Sequence, residues 1–136
     1  MRTTLTDEEV AQAMRERHGT ISHWEPLTGG EMSQAFAFRA GGRDLVVRVG
    51  PGREGFDRDA WAARRLRETA VPVPEVLEVA RLDEGVYCCV SERMGGGRFE
   101  DCDEARQRRI APAVAAVVDA VAAVDLSGTE GFGSLD

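Results

Sequence analysis

Residues 45–59 read LVVRVGPGREGFDRD, and this stretch decides the fold. Its first five residues are apolar apart from one arginine, which is a typical β-strand pattern. The breaker Gly50-Pro51-Gly52 ends the strand. Apolar residues then recur at helical spacing from Phe56 onward, opposed by arginines. The stretch therefore predicts a strand that carries a cation, Arg48, followed by an amphipathic helix that carries a carboxylate, Asp59.

The residues before this stretch predict one helix and two more strands. Thr6, followed by three acidic residues, is typical of a helix N-cap, and the helix is expected to run to about His18. Two strands are expected next, at Ile21–Leu27 and Ala35–Arg39. Gly41-Gly42 tolerates the positive φ angles of a tight turn, so the second of these strands should pair antiparallel with the strand that carries Arg48.

The residues after the central helix predict a second hairpin and a last helix. Prolines at 72 and 74 force an extended connector. The hairpin strands are expected at Glu75–Leu82 and Val86–Glu92, and the second is apolar on both faces and should lie inside the sheet. Pro112 is expected to kink or restart the last helix, and residues 125–133 look like a linker. The apolar stripe of that helix comprises Ile110, Val114, Val117, Val118, Val121 and Val124.

Composition excludes several kinds of site. The net charge of -7 argues against nucleic-acid binding, which needs a basic surface. All 17 basic residues are arginine, so neither a Walker A loop nor a lysine Schiff base is possible. The three cysteines form no CxxC pair and are expected to be reduced structural thiols. No apolar stretch reaches the roughly 20 residues of a membrane span, so no membrane partner is expected. The first nine residues lack the apolar core of a secretory signal, so we expect a cytoplasmic protein.

The predicted order of elements resembles the small lobe of the protein-kinase-like fold. A more specific resemblance, to the aminoglycoside phosphotransferase family, is carried by three stretches: Gly30–Phe38, Gly41–Val49 and Pro72–Leu77. Two others are most similar to family members that phosphorylate hygromycin B: Gly55–Asp59 and Val124–Gly133. The resemblance covers most of the chain from about Leu27 onward.

The resemblance implies an α+β fold. We expect an antiparallel five-stranded sheet with a packed helix, an N-terminal helix, and a C-terminal helix that leads toward a large lobe. Residues 1–93 are expected to form the N-lobe, the nucleotide-binding half, and residues 94–136 the hinge, a helix and the start of the linker to the C-lobe. In this fold the catalytic aspartate and the magnesium ligands belong to the large lobe. The 136 residues contain neither a His-x-Asp motif nor any asparagine.

The resemblance also implies that the lobe binds ATP. Gly29, Gly30 and Ser33 fall on the loop that covers the phosphates. Arg48 falls where most kinases place a phosphate-binding lysine, and Asp59 falls where they place the glutamate that orients it. The alternatives are an ordinary turn at the two glycines and an exposed strand arginine at 48.

A second group of candidate residues lies on the segment that would join the lobes. Ser91, Glu92 and Arg93 are expected to offer backbone groups to an adenine edge. Val90 is expected to flank the base, and a simple core valine is an equally good interpretation.

Three hypotheses for function follow. The favoured one is the nucleotide-binding lobe of an enzyme that transfers the γ-phosphate of ATP to an aminoglycoside hydroxyl, hygromycin B being one candidate. The second is a stand-alone lobe that binds a kinase-like partner, or itself, through an exposed apolar face at Val114, Val117, Val121 and Val124. The third is a non-catalytic domain with only structural similarity. No catalytic residue or metal ligand is expected in this chain, Mg²⁺ is expected only through the large lobe, and the chain alone is predicted to be inactive.

Overall fold

The computed structural model describes residues 5–28 and 34–130. It contains five strands, three α-helices and one 3-10 turn in this part of the chain. In chain order they are α1 (Asp7–His18), β1 (Ile21–Leu27), β2 (Gln34–Ala40), β3 (Arg43–Pro51), α2 (Glu54–Leu66), β4 (Val76–Asp83), β5 (Val86–Glu92), the 3-10 turn (Phe99–Asp101) and α3 (Glu104–Ala122).

The strands form one antiparallel sheet in the order β1-β2-β3-β5-β4. The apolar strand β5 therefore lies inside the sheet, as its sequence predicted. The β2–β3 turn has positive φ angles at both glycines, 58° at Gly41 and 76° at Gly42. Two successive positive φ angles match the twist of a two-residue hairpin, and only glycine adopts them without strain.

Helix α1 covers one face of the sheet. Its N-terminus is a capping box, in which the Glu9 N–H donates to Thr6 Oγ1 at 3.3 Å and the Thr6 N–H donates to Glu9 Oε2 at 2.7 Å. Val10 and Met14 are fully buried and pack against the sheet. The rest of this core comes from the strands: Phe36, Phe38, Ala40, Leu45, Val47, Val49, Val86, Cys88 and Val90.

Helix α2 packs on the opposite face, because successive strand residues point to opposite sides of a sheet. Val47 and Val49 lie in the core under α1, so Arg48 between them points toward α2. Two residues of α2, Phe56 and Ala60, are buried there. The sheet thus separates an apolar core from a face on which a charged side chain meets a helix.

Side chains at the end of α1 bind β4, a contact that sequence reasoning missed. His18 Nε2 lies 2.9 Å from Glu78 Oε1, and Arg17 Nη1 lies 3.2 Å from Glu78 Oε2. The sequence places His18 at the C-terminus of a helix but does not reveal its partner, because Glu78 lies 60 residues away along the chain. The contact fixes α1 across the sheet edge.

The C-terminal part of the described chain contains one long helix and a turn. Helix α3 continues through Pro112 and does not restart there. Residues 125–130, expected as a linker, contain a hydrogen-bonded turn, in which the Thr129 N–H donates to the Leu126 carbonyl at 3.1 Å. None of the helices in the described residues is long and apolar enough to cross a bilayer.

Candidate functional site

The structure brings Arg48 of β3 and Asp59 of α2 together. Arg48 Nη2 donates to Asp59 Oδ2 at 2.6 Å. The contact joins a strand to a helix that begins only six residues further on, across the Gly50-Pro51-Gly52 loop. Most kinases have a lysine at the position of Arg48 and a glutamate at the position of Asp59. Here the longer arginine reaches the shorter aspartate, so the contact between strand and helix is kept.

Two further side chains fix the guanidinium of Arg48. Its Nη2 lies 3.6 Å from Cys89 Sγ on β5, the cross-strand partner of Arg48. Its Cζ lies 5.5 Å from the centre of the Phe56 ring, within cation–π distance. Burial alone would lower the pKa of Arg48. The hydrogen bond to Asp59 and the nearby charges outweigh this effect, so the pKa of Arg48 is raised. Arg48 is therefore a cation at neutral pH.

The Arg48–Asp59 pair stands between two clefts. One, of about 360 Å³, is lined on its polar side by Ser91 and on its apolar side by residues of α2, the connector and β4: Ala62, Ala63, Val73, Pro74 and Val76. The other, of about 330 Å³, is formed with the β3–α2 loop and the start of α2: Gly50, Pro51, Gly52, Gly55, Phe56 and Arg58. The side chain of Arg48 is 37% exposed, so the cation is available to an anion in either cleft.

The segment 91–93 is positioned beside the first cleft, but two of its N–H groups are already used. The Glu92 N–H donates to the Glu75 carbonyl and the Arg93 N–H to the Asp44 carbonyl, both at 2.9 Å. The Arg93 side chain donates to Glu25 Oε1 on β1 at 3.0 Å. A base edge at this segment would therefore have to use its carbonyls or the N–H groups that follow.

Val90 does not flank the cleft. It is fully buried in the core under α1, and its β3 partner Val47 lies in the same core. Cys89 and Ser91, its neighbours on β5, point to the other face. The register of β5 against β3 sends residue 90 away from Arg48 and into the core.

The candidate residues of the phosphate-covering loop, Gly29, Gly30 and Ser33, lie outside the described residues. The two adjacent cysteines lie on opposite faces, as the strand alternation predicted. Burial raises the pKa of Cys88 to about 11. Burial also raises the pKa of Cys89, although the charge of Arg48 opposes this.

Sequence reasoning missed Cys89 and Phe56 as contacts of Arg48. The contact of Phe56 could have been predicted from the sequence, because Phe56 lies three residues before Asp59 and so faces the same side of α2. The contact of Cys89 could not have been predicted, because it depends on the pairing of β3 with β5. Arg48 and Cys89 are 41 residues apart along the chain. Within residues 5–28 and 34–130 no group of three or more His, Cys, Asp or Glu could hold a metal ion.

Comparison with known proteins gives consistent results. The model of the phosphotransferase enzyme family (APH) matches residues 23–135. Hygromycin-B 4-O-kinase of Escherichia coli is 37% identical over 129 residues, which cover 95% of this chain and 38% of that protein. The crystal structure of aminoglycoside phosphotransferase APH(4)-Ia is 37% identical with a TM-score of 0.87, over 94% of this chain and 43% of that one.

A thermostable mutant of the same enzyme is similar as well. Its ternary complex with AMP-PNP and hygromycin B is 38% identical with a TM-score of 0.85, over 92% of this chain and 42% of that one. The chain thus spans about two fifths of the length of these relatives. Both the sheet order and the sequence match agree with the kinase-like small lobe. On this evidence the chain belongs to the phosphotransferase enzyme family.

Proposed function

We propose that the chain is the nucleotide-binding lobe of an ATP-dependent aminoglycoside phosphotransferase. The complete enzyme would transfer the γ-phosphate to a substrate hydroxyl, and hygromycin B is the candidate substrate. The observation that carries the proposal is the Arg48–Asp59 contact of 2.6 Å at the wall of an open cleft. A relative bound to AMP-PNP and hygromycin B supports it.

The residues around the cleft have the chemistry that a nucleotide needs. Arg48 supplies a permanent cation with a forked set of donors for phosphate oxygens. Asp59 orients that cation and limits its rotation. Ser91 is 8% exposed and lines the cleft beside the apolar residues that a base would contact. By the resemblance, Gly29, Gly30 and Ser33 would belong to the loop that covers the phosphates.

This lobe would bind and orient ATP but would not complete the reaction. Phosphoryl transfer needs a base for the hydroxyl proton and ligands for Mg²⁺, whose charge neutralises the phosphates. In the protein-kinase-like fold the base and these ligands belong to the large lobe. We therefore propose that catalysis, Mg²⁺ binding and most contacts with the antibiotic depend on a large lobe, and that this chain alone is inactive.

A chimera tests the proposal. The chain replaces the matching segment of Escherichia coli hygromycin-B 4-O-kinase, and resistance to hygromycin B is measured in cells. The chimera should confer resistance, the Arg48→Ala chimera should not, and the Arg39→Ala chimera should. Arg39 is a matched control, because it is an exposed arginine on the neighbouring strand β2. A soluble, folded chimera that gives no resistance would contradict the proposal.

One observation favours a second function, that of a partner-binding lobe. Among the described residues, α3 buries no side chain. Its apolar stripe is open to solvent, with Val118 61% and Val121 55% exposed. Exposed apolar faces of this kind mark contact surfaces. A stand-alone lobe would use the face formed by Val114, Val117, Val121 and Val124 to bind a kinase-like protein or a second copy of itself.

A further inference from the structure

Arg65 joins the second half of α2 to the turn that follows α3. Its Nη2 donates to the carbonyls of Asp125 and Ser127, both at 2.8 Å. These acceptors lie 60 and 62 residues further along the chain. The contact therefore connects the helix that carries Asp59 with the C-terminal part of the lobe.

The second half of α2 contains no fully buried residue. The buried residues of the helix, Phe56 and Ala60, both lie in its first half. The helix also begins without a side-chain cap at Arg53. In the described part of the chain, Arg65 is the only one of residues 61–66 whose side chain makes a hydrogen bond to a residue outside this range. Beyond Ala60 the helix is therefore held by the partial burial of Ala62, Ala63 and Leu66 and by the two hydrogen bonds of Arg65.

The turn that accepts the bonds is itself well ordered by hydrogen bonds. The Ser127 N–H donates to Asp125 Oδ1 at 2.8 Å, and Thr129 Oγ1 donates to the Leu126 carbonyl at 2.5 Å. Hydrogen bonds from Ser127 lower the pKa of Asp125, and the charge of Arg65 contributes to the same shift. Two fixed carbonyls beside a carboxylate form a good acceptor for a guanidinium.

We propose that Arg65 is a positioning residue for phosphate binding, acting through Asp59. Asp59 and Arg65 are six residues apart on α2, or about 9 Å along the helix axis. A helix fixed at both points cannot swing away from β3, so Asp59 keeps its contact with Arg48. The inference rests on the proposed function, because it assigns Arg65 to the same nucleotide site.

The test compares Arg65→Gln with Arg64→Gln. Both changes remove one exposed arginine from the same helical turn, but only Arg65 has a bond to the C-terminal turn. Amide exchange of α2 is measured without nucleotide, and affinities are measured for ATP and adenosine. Arg65→Gln should speed amide exchange in residues 60–66. It should also weaken the affinity for ATP about threefold to tenfold, the range expected for one hydrogen bond. Adenosine affinity should not change, and Arg64→Gln should change none of the three quantities.

Two further variants separate positioning from a general structural role. Arg65→Lys should restore part of the ATP affinity, because an ammonium group can also donate to both carbonyls. In an Asp59→Asn background, Arg65→Gln should weaken the affinity for ATP little further, because the contact between Arg48 and Asp59 is already lost. Equal losses for ATP and adenosine would overturn the proposal, as would unchanged exchange in Arg65→Gln.

The proposed function and this inference fail in different ways. If the unchanged chain binds neither ATP nor adenosine, the proposed function fails. The exchange comparison between Arg65→Gln and Arg64→Gln still decides whether Arg65 positions α2. If ATP binds and Arg48→Ala abolishes it, but Arg65→Gln behaves like Arg64→Gln, only the inference fails.

Discussion

Arg48 on β3 and Cys89 on β5 are direct cross-strand partners, and Arg48 Nη2 lies 3.6 Å from Cys89 Sγ. The thiol lies against one side of the guanidinium, while Asp59 holds it from the helix side at 2.6 Å. A small, fully buried residue at 89 leaves room for the arginine to cross the sheet face toward α2. The direction of the cation is thus set by two elements that are remote in sequence.

Arg48→Ala should abolish measurable ATP binding by the chain. A hydrogen bond to a charged group contributes about 1.5–3 kcal/mol, or roughly tenfold to a hundredfold in affinity, and a weakly binding lobe has little affinity to lose. Titration calorimetry with ATP measures the effect. Arg39→Ala, the strand control, should bind as the unchanged chain does. Equal ATP binding by Arg48→Ala and the unchanged chain would rule out the role of Arg48.

Asp59→Asn should weaken ATP binding while changing stability little. The side chains of the pair are 37% and 45% exposed, and ion pairs of this kind contribute only about 0–1 kcal/mol. Urea unfolding and ATP titration are measured together. Asp57→Asn is the control, because Asp57 lies on the same helix and pairs with Arg53. A loss of ATP affinity in Asp57→Asn as large as in Asp59→Asn would show a general charge effect.

Thr6→Ala should lower the free energy of unfolding by about 1 kcal/mol, the usual value of an N-cap. Thr20→Ala, an exposed threonine beyond the end of α1, should change it by less than about 0.5 kcal/mol. Urea unfolding at neutral pH compares the two variants. Equal stabilities would show that the capping box does not contribute to holding α1 on the core.

The capping box should also make stability depend on pH in acid. Hydrogen bonds from the Thr6 backbone and hydroxyl lower the pKa of Glu9 from its ordinary value of 4.5. A lowered carboxyl pKa stabilises the folded state above pH 4.5, and the stabilisation is lost as the pH falls through the folded-state value. Urea unfolding of Glu9→Gln between pH 3 and 7 should show a shallower acid decline than the unchanged chain. Identical declines would contradict the assignment.

Only one of the three cysteines should react quickly in the folded chain. Cys88 and Cys89 are buried and Cys102 is partly exposed. Burial also raises the pKa of both buried thiols, so little of the reactive thiolate is present. A thiol reagent at pH 8 should titrate one thiol in buffer and three in urea, and Cys102→Ser should remove the fast thiol. Rapid reaction of three thiols in buffer would contradict the buried placement.

If the partner-binding function holds, the chain should self-associate through α3. Val117→Asp should then make it monomeric, because a carboxylate cannot be buried cheaply in an apolar contact. Ala116→Asp is the control, because residue 116 lies on the other side of the helix. Analytical ultracentrifugation distinguishes the variants. A monomeric unchanged chain would count against association through this face.

The sequence predicted most of the fold, because its signals were local. The Thr6 cap, the Gly41-Gly42 turn and the apolar run of β5 each act over a few residues. The resemblance pointed to Arg48 and Asp59, which lie eleven residues apart. The contacts of Arg65 and His18 were missed, because they join residues about 60 positions apart and depend on how helices lie on the sheet. The sequence left open which face of the sheet Val90 occupies, because the register of β5 cannot be predicted from the residues of β5 alone.

The two-faced sheet also has a consequence for evolution. On β3 and β5, Arg48 and Ser91 line the cleft and Val46 is the cross-strand partner of Ser91, whereas the neighbouring positions 45, 47, 49 and 90 belong to the core. Selection for a new ligand should therefore accumulate changes at positions 46 and 91, whereas positions 45, 47, 49, 88 and 90 should accept only apolar residues of similar size and position 89 only a small residue that leaves room for Arg48. A saturation library selected on a ligand should reveal this as a pattern of tolerance with a period of two. The strands can thus acquire a new specificity without losing the packing that keeps them folded.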